Sequence, residues 1–240
     1  SLSFIRKPDA REYLPWLESG MVSILTCAPE VEGGEALIRN AVRLGARVAI
    51  GHSSASYEQV KAAANLGATQ AAHLFNGMDG LHHRHPGTAG GILDDDRLLA
   101  QVICDGVHLH PAVVRLVLKA KSPSRIALIT DSIRGAGRAD AKYEGNGQFI
   151  QVKDGVARDA EGHLSGSTIS MDLALRSLIA FTGCDLLEAL VMVTSAPAEE
   201  MGLGAKKGRL APGYDADLVF LQKDLTVAAT MVSGAFVYQC

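Results

Sequence analysis

The sequence predicts an α/β fold in the form of an incomplete βα barrel, followed by a second, mostly β module near the C-terminus. Five short runs rich in valine, isoleucine, leucine and alanine lack polar alternation, which is typical of parallel strands covered on both faces. Segments with helical spacing of apolar residues separate these runs, and this alternation indicates βα units. Five units cannot close an eight-stranded barrel, so about three units of a full barrel are not accounted for.

The predicted strands recur at intervals along the first half of the chain. They span residues 21–26, 47–51, 68–72, 100–104 and 125–130. The predicted helices span residues 12–19, 33–45 and 56–67, and a fourth begins at Pro111. Ser56 and Gln59 fit a capping box, and Pro111 suits a first helical turn. A long loop is expected before the strand at 100–104.

The pattern changes after the fifth strand. The later predicted elements are a β excursion near 145–162, amphipathic helices at 167–181 and 185–201, and a β pattern at 208–240. Asp154 and Gly155 between short alternating stretches indicate a hairpin in the excursion. We therefore expect a βα domain over residues 1–200 and a second, mostly β module over residues 201–240.

Composition argues against several classes of protein. The 240 residues are 48% hydrophobic and 20% charged, which is globular composition. A net charge of −3 gives no general basis for binding nucleic acid or a membrane surface. The four cysteines lie far apart without a C-x-x-C pair, which predicts reduced thiols. No apolar run approaches the ~20 residues of a membrane span, and no leader is apparent, so we expect a cytoplasmic protein.

Four polar residues lie at or just after the carboxyl ends of successive predicted strands: His52, His73, His108 and Asp131. In a βα barrel all four would open onto one face, where such enzymes keep their active sites. Two imidazoles on neighbouring strands can coordinate zinc or a similar ion, and an aspartate can accept a proton from the attacking water. Each residue alone would fit an ordinary structural role, and the shared face favours a site.

A loop ahead of the fourth strand contains His82, His83, Arg84 and His85. Its histidines lack regular ligand spacing, so we favour a solvated or substrate-facing loop over a metal site. Arg84 suits bidentate capture of phosphate or carboxylate, although an ordinary surface arginine fits the sequence equally well. Residues 166–168 would either offer backbone N–H groups to a ligand or simply cap the next helix.

Seven motifs together form a specific pattern. They are Gly-His-Ser-Ser-Ala at 51–55, His-Leu-Phe-Asn-Gly-Met at 73–78, His-His-Arg-His-Pro-Gly at 82–87, Asp-Gly-Val-His at 105–108, Thr-Asp-Ser at 130–132, Leu-Ser-Gly-Ser at 164–167 and Gly-Tyr-Asp-Ala-Asp-Leu at 213–218. With these motifs the chain resembles the N-acetylglucosamine-6-phosphate deacetylases of the amidohydrolase superfamily, from about Phe4 to the C-terminus. The resemblance implies an incomplete TIM-like βα barrel of the amidohydrolase type as the catalytic domain over residues 1–200. It also implies the C-terminal part of a small β-sandwich domain over residues 201–240.

The resemblance also implies a role for each matching residue. His52 and His73 would ligate a catalytic divalent metal, with zinc the first choice and Fe²⁺, Mn²⁺ or Co²⁺ as alternatives. Asp131 would be the general base and then the general acid. The implied substrate-binding residues are Asn76, Gly77, Arg84, Asp105, Gly106, Val107, His108, Leu164, Ser165 and Gly166. Arg84 would reach the phosphate bound in the partner subunit of a homodimer.

Two motifs of the family do not occur in this chain. One is a His-Leu-Glu-Gly-Pro motif with a metal-binding glutamate, and the other contains a histidine that polarises the acetyl carbonyl. Ser1 would follow them, which would make the chain the C-terminal two-thirds of a deacetylase. Catalytic zinc usually has three protein ligands plus water, so we expect weakened metal binding and low or no activity unless His108, Asp131 or another group supplies the third ligand.

The leading interpretation is hydrolysis of the acetamide of N-acetylglucosamine 6-phosphate to glucosamine 6-phosphate and acetate, a reaction of amino-sugar catabolism. The alternative is a truncated, catalytically impaired homologue that binds phosphosugar or only dimerises. A third interpretation is another amidohydrolase reaction, such as cyclic-amide hydrolysis, and the motif at 73–78 and Arg84 argue against it. The expected partners are therefore a phosphosugar and a second copy of the chain, without nucleic acid or membrane.

Overall fold

Parallel strands and helices alternate through the first half of the computed structural model, which describes residues 6–145 and 148–240. The chain forms two compact units, the first ending at Gln101 and the second beginning at Val102. The first unit contains α1 (Ala10–Glu18), β1 (Ile24–Cys27), α2 (Gly34–Arg43), β2 (Arg47–Ile50), α3 (Tyr57–Asn65), β3 (Gln70–Ala71), α4 (Gly87–Asp94) and the start of β4 (Leu99–Ile103). The predicted alternation of strands and helices is confirmed.

The strands of the first unit pair in parallel in the order β1-β2-β3-β4. Ala49 of β2 lies opposite Thr26 of β1 and Gln70 of β3. Val48, Ala49 and Ile50 are fully buried, as expected for a parallel strand covered on both faces. Because the strands are parallel, their carboxyl ends meet at one edge, and the residues that follow them are brought together there.

Helix α4 occupies a stretch for which the sequence predicted only a long loop. The helix contains three glycines, which are poor helix formers. A Cβ atom at Gly91 would lie 2.8 Å from Val60 Cβ of α3, so the glycine permits close approach of the two helices. Ile92 is fully buried. Tertiary packing thus stabilises a helix that local propensity does not predict.

The second unit begins with the end of β4 and continues the parallel order with β5. Its elements are α5 (Pro111–Ala120), β5 (Ile126–Ile129), β6 (Lys142–Gly145), β7 (Gln148–Lys153), β8 (Val156–Arg158), α6 (Met171–Thr182), α7 (Leu186–Val193), α8 (Ser195–Glu200), β9 (Leu218–Leu221), β10 (Val227–Val232) and β11 (Ala235–Gln239). The predicted helix at 185–201 is divided at Thr194, whose φ of −130° and ψ of −84° are not helical.

The predicted β excursion is an antiparallel sheet in the order β6-β7-β8. Asp154 and Gly155 form the turn between β7 and β8 with φ values of 51° and 73°, as a type I′ hairpin turn requires. Residues 146 and 147 of the predicted excursion lie outside the described residues.

A second antiparallel sheet, in the order β11-β10-β9, confirms a β module near the C-terminus. The domain boundaries predicted at 1–200 and 201–240 stay a prediction. Within residues 6–145 and 148–240, no helix has the length and apolar character needed to cross a membrane.

Candidate metal and substrate site

His52 and His73 follow the neighbouring strands β2 and β3, and the structure brings their side chains together. Their Nε2 atoms are 3.0 Å apart, and their rings meet edge to face with centroids 4.6 Å apart. His52 is exposed and His73 half-buried, so the pair lies open to a ligand. The carboxyl edge of a parallel sheet therefore presents two imidazole nitrogens to one point.

The hydrogen bonds of His73 show that this pair fits a metal ion. His73 Nδ1 lies 3.0 Å from the carbonyl oxygen of Asn76, so Nδ1 is the protonated nitrogen that donates to it. The lone pair of His73 Nε2 then faces His52. A backbone carbonyl that fixes the tautomer of a histidine in this way is the usual support of a metal-ligating imidazole. The donor set suits zinc and similar divalent cations.

An uncommon backbone conformation is shared by three residues predicted to do chemistry. The φ angles of His52, His73 and Asp131 are 48°, 30° and 49°. Positive φ in a residue other than glycine costs of order 1–3 kcal/mol and is concentrated at functional sites. The strained positions coincide with the predicted metal ligands and the predicted general base.

Asn76 and Gly77, the predicted phosphate-binding residues, lie in the turn that follows His73. Asn76 Nδ2 donates to the carbonyl oxygens of His73 and Leu74, each at 3.2 Å, which stabilises the turn. Gly77 has a φ of 59°, and a Cβ atom there would lie 2.7 Å from His52 Nδ1. Glycine at this position therefore leaves room for the His52 imidazole.

Arg84 lies on an exposed loop beside an open cavity of about 500 Å³, lined in part by Tyr57, Asp79 and His82. Its backbone N–H donates to His82 Nδ1 at 3.3 Å, and His82 stacks on His85 with a centroid separation of 5.7 Å. Such a loop leaves the guanidinium accessible to an anion.

In the part of the chain that the structure describes, one cluster has three side chains close enough to share a metal ion. It consists of Asp159, Glu161 and His163 in a turn of the second unit. The Asp159 carboxylate accepts hydrogen bonds from the backbone N–H groups of the other two, and His163 lies within ion-pair distance of both carboxylates. These bonds explain the cluster as a stabilised turn, and no sequence motif singles it out.

In the second unit, Asp105 holds His108 in one orientation. Asp105 Oδ2 lies 2.6 Å from His108 Nδ1, and Oδ1 accepts from the backbone N–H groups of Val107 and His108 at 2.8 Å each. Burial raises the pKa of the Asp105 carboxyl, but the hydrogen bonds from His108 and the backbone outweigh it, so the pKa lies below its ordinary value. The bond at Nδ1 leaves His108 Nε2 available to a ligand. Gly106 between them has a φ of 74°.

Asp131 follows β5, and the segment 164–167 is fastened beside it. The carbonyl oxygen of Asp131 accepts from Ser167 N–H at 2.8 Å, and Ser167 Oγ donates to the carbonyl of Thr130. Ser165 N–H donates to the carbonyl of Ala157 at 3.1 Å. The predicted base and the predicted closing residues Leu164, Ser165 and Gly166 thus belong to one local structure.

Sequence reasoning missed Glu30, which lies in the loop after β1. Its carboxylate accepts from Ser53 Oγ at 2.7 Å and from Ser54 N–H at 2.6 Å, directly after His52. Burial first, and then the Glu30 charge, raise the pKa of the neighbouring Cys27 thiol to about 12. The position of Glu30 in the sequence could have identified it. It is a polar residue that follows the first strand, just as His52, His73, His108 and Asp131 follow the other four.

Comparisons with known proteins place these residues in a family. The amidohydrolase family model matches residues 15–237. The chain is 36% identical over 235 residues to an N-acetylglucosamine-6-phosphate deacetylase of Lysinibacillus sphaericus, covering 97% of this chain and 60% of that protein. It is 41% identical over 162 residues to a putative N-acetylgalactosamine-6-phosphate deacetylase of Escherichia coli (strain K12), covering 68% of this chain and 96% of that protein.

A solved structure supports the same family membership. The chain is similar in structure to the N-acetyl-D-glucosamine-6-phosphate deacetylase of Mycobacterium smegmatis, solved as an aspartate-to-alanine mutant in complex with N-acetyl-D-glucosamine-6-phosphate. The TM-score is 0.95 at 37% identity, over 99% of this chain and 64% of that one. The present chain thus spans about 60% of the length of the Lysinibacillus relative. The chain belongs to the amidohydrolase family, with sugar-phosphate deacetylases among its relatives.

Proposed function

We propose that the protein hydrolyses the acetamide of an N-acetylated amino-sugar 6-phosphate, with N-acetylglucosamine 6-phosphate as the leading substrate. The observation that carries the proposal is the facing pair of Nε2 atoms of His52 and His73, 3.0 Å apart at neighbouring strand ends. The names of the relatives support the substrate class, and the sugar in the Mycobacterium smegmatis complex supports the gluco configuration.

His52 and His73 would hold a divalent cation, with zinc the first choice and Fe²⁺, Mn²⁺ or Co²⁺ as alternatives. When bound, such a cation supplies Lewis-acid polarisation and lowers the pKa of water. Asp131 takes a proton from the water that attacks the acetyl carbonyl carbon. It then returns the proton to the amine nitrogen as the C–N bond breaks, which gives acetate and the free amino-sugar phosphate.

The remaining predicted residues bind the substrate. Asn76 and Gly77 hold the phosphate, and His108, oriented by Asp105 within the turn that includes Gly106 and Val107, binds a sugar hydroxyl. The segment 164–166 closes over the sugar ring. We also propose a cytoplasmic homodimer in which the Arg84 guanidinium reaches the phosphate bound by the partner subunit, because arginine suits bidentate phosphate binding.

The test is acetate release from N-acetylglucosamine 6-phosphate by the purified chain with added Zn²⁺, with Asp131→Asn as the blank. We expect turnover that the substitution lowers at least about 10²-fold, the scale of general acid–base catalysis. N-Acetylgalactosamine 6-phosphate and unphosphorylated N-acetylglucosamine are the comparison substrates. Equal turnover of the unphosphorylated sugar would contradict the phosphosugar assignment.

A second candidate function is phosphosugar binding without turnover. The observation that favours it is the number of metal ligands. His52 and His73 supply two, and among the described residues no group of three metal-binding side chains includes them. Catalytic zinc usually has three protein ligands. Equilibrium dialysis with N-acetylglucosamine 6-phosphate distinguishes the two. Binding by both the wild-type chain and Asp131→Asn, without acetate release by either, would favour the second candidate.

A further inference from the structure

The carboxylate of Glu30 holds two consecutive residues of the loop that carries His52. Its Oε2 atom accepts a hydrogen bond from Ser53 Oγ at 2.7 Å, and its Oε1 atom accepts one from Ser54 N–H at 2.6 Å. Ser53 is 2% exposed, so its hydroxyl has little access to water as an alternative partner. Glu30 therefore connects the loop after β1 to the loop after β2.

The same short segment is also held from α4. The fully buried Thr88 Oγ1 lies 3.0 Å from the carbonyl oxygen of Ser53 and 2.9 Å from that of Ala55. Ser53 Oγ in turn accepts from Ala55 N–H at 3.1 Å. The Ser53 hydroxyl thus donates to Glu30 and accepts from the backbone, so removing the carboxylate would leave a buried donor unpaired.

The backbone conformation of His52 is one that needs support from its surroundings. Its φ of 48° is unfavourable for a residue with a side chain, and such a conformation persists only where the surroundings over-determine it. The backbone after His52 is fixed by Glu30 and Thr88, and this backbone sets the direction of the His52 imidazole.

We propose that Glu30 is a positioning residue for the metal site. Its carboxylate fixes Ser53 and Ser54 and thereby holds His52 Nε2 beside His73 Nε2 for a shared divalent cation. The proposal rests on the proposed function, since it takes these two histidines as the metal ligands. Glu30 acts through the loop, as residues that support metal ligands commonly do.

The test measures Zn²⁺ binding to the metal-stripped chain by titration calorimetry, without substrate. We expect Glu30→Gln to weaken Zn²⁺ binding about 10- to 100-fold, the usual effect of losing a residue that supports a ligand. Glu32→Gln is the matched control, because Glu32 lies in the same loop but is exposed and paired with Lys7. It should bind Zn²⁺ like the wild type. Thermal unfolding in EDTA, run in parallel, reports stability separately from affinity.

Ser53→Ala provides a second variant if Glu30→Gln does not fold, and it should weaken Zn²⁺ binding in the same direction. Lower stability with unchanged Zn²⁺ affinity in the folded variants would overturn the proposal, because Glu30 would then be only structural. His73→Ala separates the two proposals. Zn²⁺ binding that this substitution does not weaken would refute the metal assignment itself. Binding that depends on His73 but is indifferent to Glu30 and Ser53 would overturn only the role of Glu30.

Discussion

The backbone at His52, His73 and Asp131 shows how single residues are aimed at this site. Each has a positive φ, a conformation that is uncommon outside glycine but for which histidine and aspartate are among the enriched types. Sequence reasoning predicted these residues from their positions after apolar strands. It could not predict their φ angles, because the strain is maintained by distant hydrogen bonds such as that from Ser53 to Glu30.

Asp105→Asn should destabilise the protein by roughly 2 kcal/mol at neutral pH, because a carboxylate with three hydrogen bonds is lost. The fold lowers the pKa of Asp105, so its stabilising contribution is present above the unfolded pKa of about 3.9 and is lost as pH falls through the lower folded pKa. Urea unfolding of wild type and variant at pH 7 and at steps below pH 4 measures this difference. The exposed Asp96→Asn serves as control. A difference that stays constant down to low pH would argue against the assignment.

At the scale of elements, the segment 164–167 is positioned by a glycine beside β5. Gly166 has a φ of 63°, and a Cβ atom there would lie 2.9 Å from the carbonyl oxygen of Asp131 and 2.6 Å from Ile133 Cγ2. Gly166→Ala should therefore destabilise the protein by about 2–4 kcal/mol, since backbone strain and a steric clash add. It should also weaken phosphosugar binding, because the segment would move away from Asp131.

The matched control is Gly162→Ala. Gly162 also has a positive φ, 88°, but a Cβ atom there would meet nothing within 4 Å. Gly162→Ala should therefore lose stability through backbone strain alone, of order 1–3 kcal/mol. Chemical denaturation of both variants, with calorimetric titration of N-acetylglucosamine 6-phosphate, measures the two effects. Equal losses of stability and affinity in both variants would show that contact with Asp131 is unimportant.

Elements with strong local patterns were predicted well, and elements made by packing were not. The Asp154-Gly155 hairpin and the helix capped by Ser56 formed as expected, because their turn and cap residues act locally. Helix α4 was missed because Gly91 is there for contact with Val60, which is distant in sequence. Packing partners of this kind cannot be read from a local window.

At the scale of the whole molecule, the order of βα units and the small C-terminal sheet followed from the sequence, because the strand and helix patterns repeat. The family resemblance supplied the site residues. The Glu30 support of Ser53 remained hidden, since the two residues are 23 positions apart and joined only by folding. A site made of residues from several strands therefore couples ligand binding to the folded state.

This coupling predicts that Zn²⁺ raises the global stability of the chain. A ligand that binds only the folded state adds RT ln(1 + [L]/Kd), about 2.7 kcal/mol when free Zn²⁺ is 100 times Kd. Urea unfolding at a series of buffered Zn²⁺ concentrations should show this gain, and EDTA should abolish it. The double variant His52→Ala and His73→Ala should show no gain, because it lacks both imidazole ligands. An equal gain in that variant would mean that Zn²⁺ binds at another site of the folded chain, because binding to any site that exists only in the folded state stabilises it.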